Sequence, residues 1–345
     1  MNHVQIELTN RCNFQCEFCE IKNHRVKDEM PIEQVYSILD QLVEADLPGG
    51  KVFMVSFNGV GEPLLYHDIG KAIKYAKERF PFVGFITNGY FLTKEIADEM
   101  LDLDIDYITV SINAVDGDIY EKFQGYGLKE PEQVMCRVLS NIEYLLTQKE
   151  RLKKHMEFRI PFLMTKDSEK HLKQFLHHWR QSGHEISIQL TKLLTFGKLE
   201  NVKYTRCERL TEDFMIFSNG DITICACDQK REGIIGNIRT HSISEVLNGD
   251  KYMGIVKANS ELDLKNMPSL CLNCEKMMDE GFLRNHSMFY KVIYVNSWKK
   301  NLKWKVYSVG VQWFTELKKH RVTFAFFRKM KNYMVRKEIR GKVSG

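Results

Sequence analysis

Three cysteines, Cys12, Cys16 and Cys19, form a C-x3-C-x2-C loop directly after the alternating apolar stretch Val4, Ile6 and Leu8. Thiolate sulfur is a soft ligand, and three thiolates on one short loop can face an iron–sulfur cluster, a zinc ion or Cu(I). Three protein ligands on a four-iron cluster would leave one iron open, which suits a catalyst better than a purely structural site. A zinc loop is the alternative.

A second group follows later: Cys207, Cys225, Cys227, Cys271 and Cys274, five cysteines in under seventy residues. Buried apolar thiols do not explain such density. A disulfide framework is not expected, because no secretory signal precedes the first cysteine cluster. A four-cysteine zinc knuckle remains open as a structural alternative. Cys227 stands two residues from Cys225 and beside Asp228. Its thiol could return a hydrogen atom to a substrate radical, serve as an alternative ligand, or be a spectator. Asp228 could act as a base on a substrate proton. Cys136 lies in a helical run and reads as a small buried hydrophobe.

Short β-type runs alternate with helical patterns in the first half of the chain, which argues for βα units and a parallel sheet. The strands are expected over 3–8, 51–57, 82–86, 107–112, 156–163 and 186–191, and the helices over 32–45, 67–79, 93–102, 131–148 and 168–182. Pro31, Thr93, Pro131 and Ser168 signal helix starts, none with a full capping box. Six units suggest an open, partial (β/α)6 barrel of the TIM-like α/β class, with chemistry at the C-terminal strand ends. The unusual residues fall there. The cysteine loop closes strand 1, Asn58-Gly59-Val60-Gly61-Glu62-Pro63 closes strand 2, Thr87-Asn88-Gly89 closes strand 3, and Ser111-Ile112-Asn113-Ala114 closes strand 4. Alone, each of these is an ordinary turn.

Taken in order, the cysteine loop with its Asn10-Arg11 and Phe18 flanks and the three motifs behind it resemble the radical S-adenosylmethionine (radical SAM) enzymes, over residues 1 to about 190. The resemblance implies a [4Fe–4S] cluster held by Cys12, Cys16 and Cys19, with S-adenosylmethionine (SAM) chelating the open iron and Phe18 beside it. It implies that Gly61 and Glu62, the counterparts of a "GGEP" element, hold the SAM amino group; Val60 departs from the glycine common there. Thr87 and Asn88 correspond to a "TNG" turn beside the cofactor. Ser111 and Asn113 correspond to a ribose contact, where Asn113 replaces a frequent aspartate and still donates and accepts hydrogen bonds. Relatives often carry an arginine after strand 4 near the SAM carboxylate. Here the tract is Tyr120-Glu121-Lys122-Phe123-Gln124-Gly125, and Lys122 or Arg159 on strand 5 could supply the charge instead. Arg159 alternates with apolar neighbours, consistent with an inward orientation or with a surface ion pair.

The later cysteines, with Asn219-Gly220 before Cys225 and Gly236-Asn237-Ile238 after it, look like the SPASM auxiliary-cluster extension, in its shorter "twitch" form because no cysteine follows Cys274. That resemblance implies one auxiliary [4Fe–4S] cluster on Cys207, Cys225, Cys271 and Cys274. In dehydrogenating relatives an aspartate directly follows the counterpart of Cys225; Ala226 stands there, which weakens the reading of Asp228 as a base. The expected organisation is a radical SAM core over 1–200, an auxiliary-cluster domain of β-hairpin and helices over 201–285, and an extension over 286–345.

With 43% hydrophobic residues in 345, the chain has ample material for a core. Its net charge of +5 hides a division: residues 286–345 carry 15 lysines and arginines against Glu316 and Glu338, so the first 285 residues are net acidic. Trp298, Trp304, Trp313, Phe314, Phe324, Phe326, Phe327 and Tyr333 are interleaved with those charges, and 311–339 reads as a basic amphipathic helix. Such a helix suits an anionic membrane interface, RNA, or a terminal helix docked on the barrel or on a peptide partner. No apolar run is long enough to span a bilayer.

The reading is therefore a cytoplasmic radical SAM oxidoreductase, with possible peripheral attachment at the inner face of the membrane. A flavodoxin or ferredoxin would supply electrons. A deoxyadenosyl radical would take a hydrogen from a substrate carbon. The substrate is expected to be a sugar, glycan or related small molecule, because only eleven residues precede Cys12 where a peptide-recognition domain would stand. The alternatives are a peptide maturase or an epimerase using Cys227, and, from another class, a non-catalytic iron–sulfur or zinc protein that binds a membrane or nucleic acid. A methyl or thiomethyl transferase acting on RNA would use the basic tail but lacks a recognisable RNA-binding domain.

Overall fold

In the computed structural model, which describes residues 3–20, 26–48, 50–124, 128–165, 167–192, 204–274, 277 and 291–297, the βα alternation is realised almost element for element. It comprises β1 (His3–Ile6), α1 (Ile32–Glu44), β2 (Met54–Phe57), α2 (Ile69–Lys77), β3 (Phe82–Thr87), α3 (Lys94–Asp102), β4 (Tyr107–Val110), α4 (Gly117–Phe123), α5 (Pro131–Arg151), β5 (Glu157–Met164), α6 (Leu172–Gln181) and β6 (Ile186–Lys192). There follow β7 (Asp213–Ile216), β8 (Asp221–Thr223), β9 (Ile234–Asn237), α7 (Ile243–Asn248), α8 (Asp250–Glu261), α9 (Ser269–Leu272) and β10 (Lys291–Val295). The strand order is β10-β6-β5-β4-β3-β2-β1-β7-β8-β9. Strands β1 to β6 are parallel neighbours, with His3 opposite Met54, Gly84 opposite Tyr107 and Arg159 opposite Ser187. The sheet is the partial barrel expected, left open because β9 and β10 end its two edges.

Two features go beyond the sequence reading. β10 pairs antiparallel with β6, and β7 pairs parallel with β1, so the auxiliary segment extends the barrel's own sheet. The short α4 follows β4 and is capped by Asp116, whose carboxylate accepts from the Ile119 amide. A full capping box also occurs where none was read: Ser242 Oγ accepts from the Glu245 amide, and Glu245 accepts from the Ser242 amide.

Side-chain alternation divides the sheet. On β1, Val4 and Ile6 are fully buried in the apolar layer, while His3, Gln5 and Glu7 face the other way and are polar-bonded. Helix α1 buries Val35, Ile38, Leu39 and Leu42, one face at helical spacing, each contributing about 1.5–3 kcal/mol relative to exposure. Helix α5 buries Met135, Val138, Ile142, Leu145 and Leu146. That choice of face corrects one expectation: Cys136 is exposed, because it sits on the opposite side of α5 from Val138 and Ile142.

The backbone divides into Met1–Asn296 and Ser297–Gly345. The basic tail from Trp298 onward, with its expected helix over 311–339, lies outside the described residues. Among the described residues no helix is long and apolar enough to cross a membrane.

The α6–β6 turn is tied to α5 by His184, whose Nδ1 lies 2.7 Å from Glu150 Oε1 and whose Nε2 lies 3.1 Å from Glu143 Oε1. Burial opposes the imidazolium, but the two carboxylate hydrogen bonds outweigh it and hold the His184 pKa above its ordinary value. This contribution is fully present below the unfolded-state pKa and is lost as pH rises through the higher folded-state value. Thermal unfolding midpoints of wild type and His184→Gln are therefore expected to converge as pH rises above neutrality. The gap below it should be up to about 1 kcal/mol, limited by screening at the two half-exposed glutamates.

Candidate active site at the C-terminal strand ends

The loop after β1 is pinched shut at its base. Asn10, almost fully buried, donates through Nδ2 to the Val26 carbonyl at 2.9 Å and accepts through Oδ1 from the Asp28 amide at 2.8 Å. Thr9 Oγ1 accepts from the Arg11 amide at 3.2 Å. Between these ties the chain presents Cys12, Cys16 and Cys19, all part-buried and none in a disulfide, with Phe18 half-buried among them. Burial pushes the Cys12 thiol up to about 11, with Glu62 and Cys19 adding to it. Burial and the charges of Cys19 and Cys12 push Cys16 up to about 12. The three thiols are thus within electrostatic reach of one another and resist ionising together; a bound cationic centre would reverse this. The Tyr120 hydroxyl on α4 is buried near Cys16 and has no partner among the described residues.

The loop after β2 lies directly on that base. The Glu62 amide donates to the Arg11 carbonyl at 2.7 Å, and a Cβ on Gly61 would stand 2.0 Å from the Thr9 carbonyl oxygen, so only glycine fits. Glu62 is 2% exposed. Its Oε1 accepts from Thr87 Oγ1 at 2.6 Å and the Leu64 amide at 3.0 Å, and its Oε2 accepts from the Asn88 amide at 2.7 Å. Burial raises its pKa to about 7 against the pull of these bonds. Asn88 Nδ2 donates to Asn13 Oδ1 at 2.9 Å and approaches Cys12 Sγ at 3.9 Å. Gly89 holds a left-handed φ of +80° that completes the turn.

After β4, Gln124 ties the turn: its Oε1 accepts from the Asn113 amide at 2.8 Å, and its Nε2 donates to the Ser111 carbonyl. Asn113 Oδ1 in turn accepts from the Leu163 amide at 2.8 Å, leaving its Nδ2 as a donor. The cysteine loop, Gly61–Glu62, Thr87–Asn88 and Ser111–Asn113 thus close successive strands of one sheet. Arg159 does not join them. Its guanidinium pairs with Glu157 at 2.6 Å and lies 4.2 Å from the Tyr107 ring centroid, so its charge is turned toward the strands' N-terminal ends. Lys122 pairs with Asp167 on the exposed surface. Gln124, in the tract after β4, is uncharged and spends its amide on the Ser111–Asn113 turn.

The second cysteine group is split. Burial and the neighbouring Cys207 and Cys274 push the Cys271 thiol up to about 12. Asn259 on α8 clamps the Cys207 backbone, its Oδ1 accepting from the Cys207 amide at 2.9 Å and its Nδ2 donating to the carbonyl at 3.1 Å. Cys225 instead engages Cys227, whose Sγ also accepts from the Arg209 guanidinium at 3.3 Å. The Cys225 bond and Arg209 hold the Cys227 thiol below its ordinary value, and the Cys225 thiol is raised in exchange. Asp228 is 1% exposed and already occupied: Oδ2 accepts from Thr223 Oγ1 at 2.6 Å and the Gly233 amide at 2.7 Å, and Oδ1 accepts from the Glu232 amide at 2.9 Å. It knots the loop rather than standing free as a base. Asp228→Ala should leave three donors stranded at about 1–3 kcal/mol each and lower the unfolding midpoint, more than Asp228→Asn, which keeps one oxygen acceptor.

Among the described residues no three His, Cys, Asp or Glu side chains converge as they would on one bare metal ion. A cubane cluster, in which each thiolate takes a different iron, does not require that convergence, and the soft, part-buried donor set of each group fits it. Sequence reading missed Glu7, Tyr120, Asn259 and Arg231. Glu7 carried a signal, as a charged residue ending an apolar alternation; the other three are gathered only by the fold.

Residues 6–145 match the family described as the radical SAM superfamily, and residues 207–275 match SPASM, an iron–sulfur cluster-binding domain. The chain is 28% identical over 115 residues to the tungsten-containing aldehyde ferredoxin oxidoreductase cofactor-modifying protein of Pyrococcus furiosus, covering 33% of this chain and 32% of that one. It is 27% identical over 125 residues to the PqqA peptide cyclase of Bradyrhizobium diazoefficiens, covering 36% and 31%. The match thus spans about a third of each of these relatives. In fold it is similar to the crystal structure of anSMEcpe with bound AdoMet, at 14% identity and a TM-score of 0.61 over 84% of this chain and 96% of that one. The cysteine loop and the glycine and carboxylate seated on it fall within the first matched stretch and the second cysteine group within the other, so the chain carries a radical SAM domain followed by a SPASM-type iron–sulfur domain.

Proposed function

We propose that this protein is a radical SAM oxidoreductase that removes a hydrogen atom from a substrate carbon, the resulting radical then losing a proton to solvent and an electron; an auxiliary [4Fe–4S] cluster, when bound, would accept that electron. The observation that carries the reading is the seating of Gly61–Glu62 on the base of the three-cysteine loop, which sets a buried carboxylate beside the thiols. When bound, the first cluster supplies the electron that splits SAM into methionine and a 5′-deoxyadenosyl radical.

The chain's own residues do the rest. Cys12, Cys16 and Cys19 would hold the first cluster, Glu62 with the backbone at Gly61 would hold the SAM amino group, and Phe18, Thr87 and Asn88 would line the cofactor. Ser111 and the Asn113 Nδ2 would bind the ribose hydroxyls. Cys207, Cys271 and Cys274 would hold the auxiliary cluster, with Cys225 or its partner Cys227 as fourth ligand. The guanidinium of Arg209 on Cys227 Sγ favours the thiolate, which has no hydrogen atom to return, and this supports oxidation over epimerisation. A flavodoxin or ferredoxin would supply the electron. The nine cysteines, none of them in a disulfide, suit the reducing cytoplasm, and the basic tail would allow contact with an anionic membrane face.

The substrate class proposed is a sugar, glycan or related small molecule. A second reading, a peptide, is favoured by the similarity to a PqqA peptide cyclase. Anaerobic reconstitution tests the chemistry: about eight irons per chain are expected, with 5′-deoxyadenosine and methionine formed in equal amounts on adding dithionite and SAM. Zinc in place of iron, or no deoxyadenosine from loaded protein, would sink the enzymatic reading.

A further inference from the structure

The loop between β8 and β9 carries Cys225 and Cys227 at one end and turns across the inward face of the sheet at the other. The Asp228 knot sets the turn, and Arg231, the residue it presents, adopts a left-handed φ of +60° rare for a side chain of its size. Its guanidinium lies 4.4 Å from the Phe217 ring centroid and donates to Glu7 Oε1 at 3.0 Å. Glu7 is 1% exposed. The same oxygen accepts from Ser218 Oγ at 2.9 Å, and its other oxygen, Oε2, accepts from the Val60 amide at 3.0 Å. Gly59 makes room, since a Cβ there would stand 2.4 Å from Glu7 Oε2.

One carboxylate therefore joins three pieces: the end of β1 that enters the cysteine loop, the amide one residue before Gly61, and the loop that carries the auxiliary cysteines. A second, solvent-screened pair runs alongside, Lys230 Nζ to Glu20 Oε1 at 4.0 Å, one residue beyond Cys19. Removing one partner of a buried pair leaves an uncompensated charge, so such pairs fix register strongly even where they add little net stability.

We propose that Arg231, through its buried ion pair with Glu7, is a positioning residue that locks the auxiliary-cysteine loop to the SAM-contact loop in a single arrangement. The proposal rests on the preceding reading of those two loops as the cluster-side and cofactor-side loops. It predicts mechanical coupling between segments that share no backbone hydrogen bond of the sheet.

Hydrogen exchange on the full-length, anaerobically reconstituted protein tests it. Arg231→Met is expected to speed exchange about tenfold or more in residues 226–233 and also across the gap in residues 58–61, while α1 and α3 keep their protection. Affinity for SAM should fall by a similar factor. Arg231→Lys, which keeps the charge, should restore protection at 58–61. Should Arg231→Met fail to accumulate, Arg231→Gln, which likewise removes the charge and leaves Glu7 and its bond to the Val60 amide in place, is read the same way. Acceleration confined to 226–233, equal acceleration in α1 and α3, or none at 58–61 would overturn the proposal. Loss of SAM cleavage in the wild type would instead overturn the functional reading and leave the exchange result standing.

Discussion

Alanine at Cys12, Cys16 and Cys19 together is expected to lower iron from about eight to about four per chain and to bring deoxyadenosine formation to background, at least about a thousandfold below wild type. The size of the effect follows from the donor set. Each of these thiols lies in the loop closed by Asn10; burial, with Glu62 and Cys19, pushes Cys12 up to about 11, and burial, with Cys19 and Cys12, pushes Cys16 up to about 12. Without a cationic centre such thiols stay protonated at neutral pH, so loading the cluster must release protons and iron uptake should be slower as pH falls. The second group, Cys207, Cys271 and Cys274, has its own supports in Asn259 and the Tyr204 hydroxyl on the Leu272 carbonyl, and should keep its iron in the triple variant. Loss of all iron in that variant would show that the two groups do not load independently. Iron analysis with Mössbauer or EPR quantitation distinguishes these results.

The second large effect is at Glu62, and it separates folding from cofactor binding. Glu62→Ala removes the acceptor of Thr87 Oγ1, the Asn88 amide and the Leu64 amide, all in a buried setting. At about 1–3 kcal/mol for each stranded donor, a loss of several kcal/mol is expected, seen as a large drop in the unfolding midpoint. Glu62→Gln keeps one carbonyl acceptor and should fold, but loses the charge that would face the SAM amino group; affinity for SAM should fall roughly a hundredfold. The pH dependence is the sharper readout. With its pKa raised to about 7, Glu62 favours the protonated form in the folded protein, so its own contribution to stability is fully present below pH 4.5 and declines as pH rises through about 7. A cationic ligand reverses the preference. SAM affinity, measured by equilibrium binding, should therefore strengthen from pH 6 to 8 in the wild type and stay flat in Glu62→Gln. A pH-independent wild-type affinity would remove Glu62 from the amino-group contact.

Much of this protein was legible along the chain, because the determinants are local. Strand alternation at Val4, Ile6 and Leu8, the Thr93 cap of α3, and Pro131 at the first turn of α5 each act within a few residues. The cysteine loop and the strand-end motifs were legible for the same reason: a parallel sheet delivers every strand's C-terminal end to one side, so order along the chain becomes proximity in space. Gly61 needed no structure to be singled out, but its reason did: the Thr9 carbonyl lies 2.0 Å from where a Cβ would be.

What only the tertiary structure decided concerns groups whose partners are far away in sequence. Arg159 alternated as an inward residue should, yet its charge is taken by Glu157 and the Tyr107 ring instead of the cofactor side, because a long side chain chooses among all neighbours within reach. Asp228, read only as one candidate for a base, accepts from Thr223, Glu232 and Gly233 and ties its own loop, partners that the fold and not the spacing brings to it. The pairing of β7 with β1, and with it the meeting of Glu7 and Arg231 across 224 positions, depends on sheet register. Periodicity fixes which face a side chain takes; only long-range packing fixes whom it meets there.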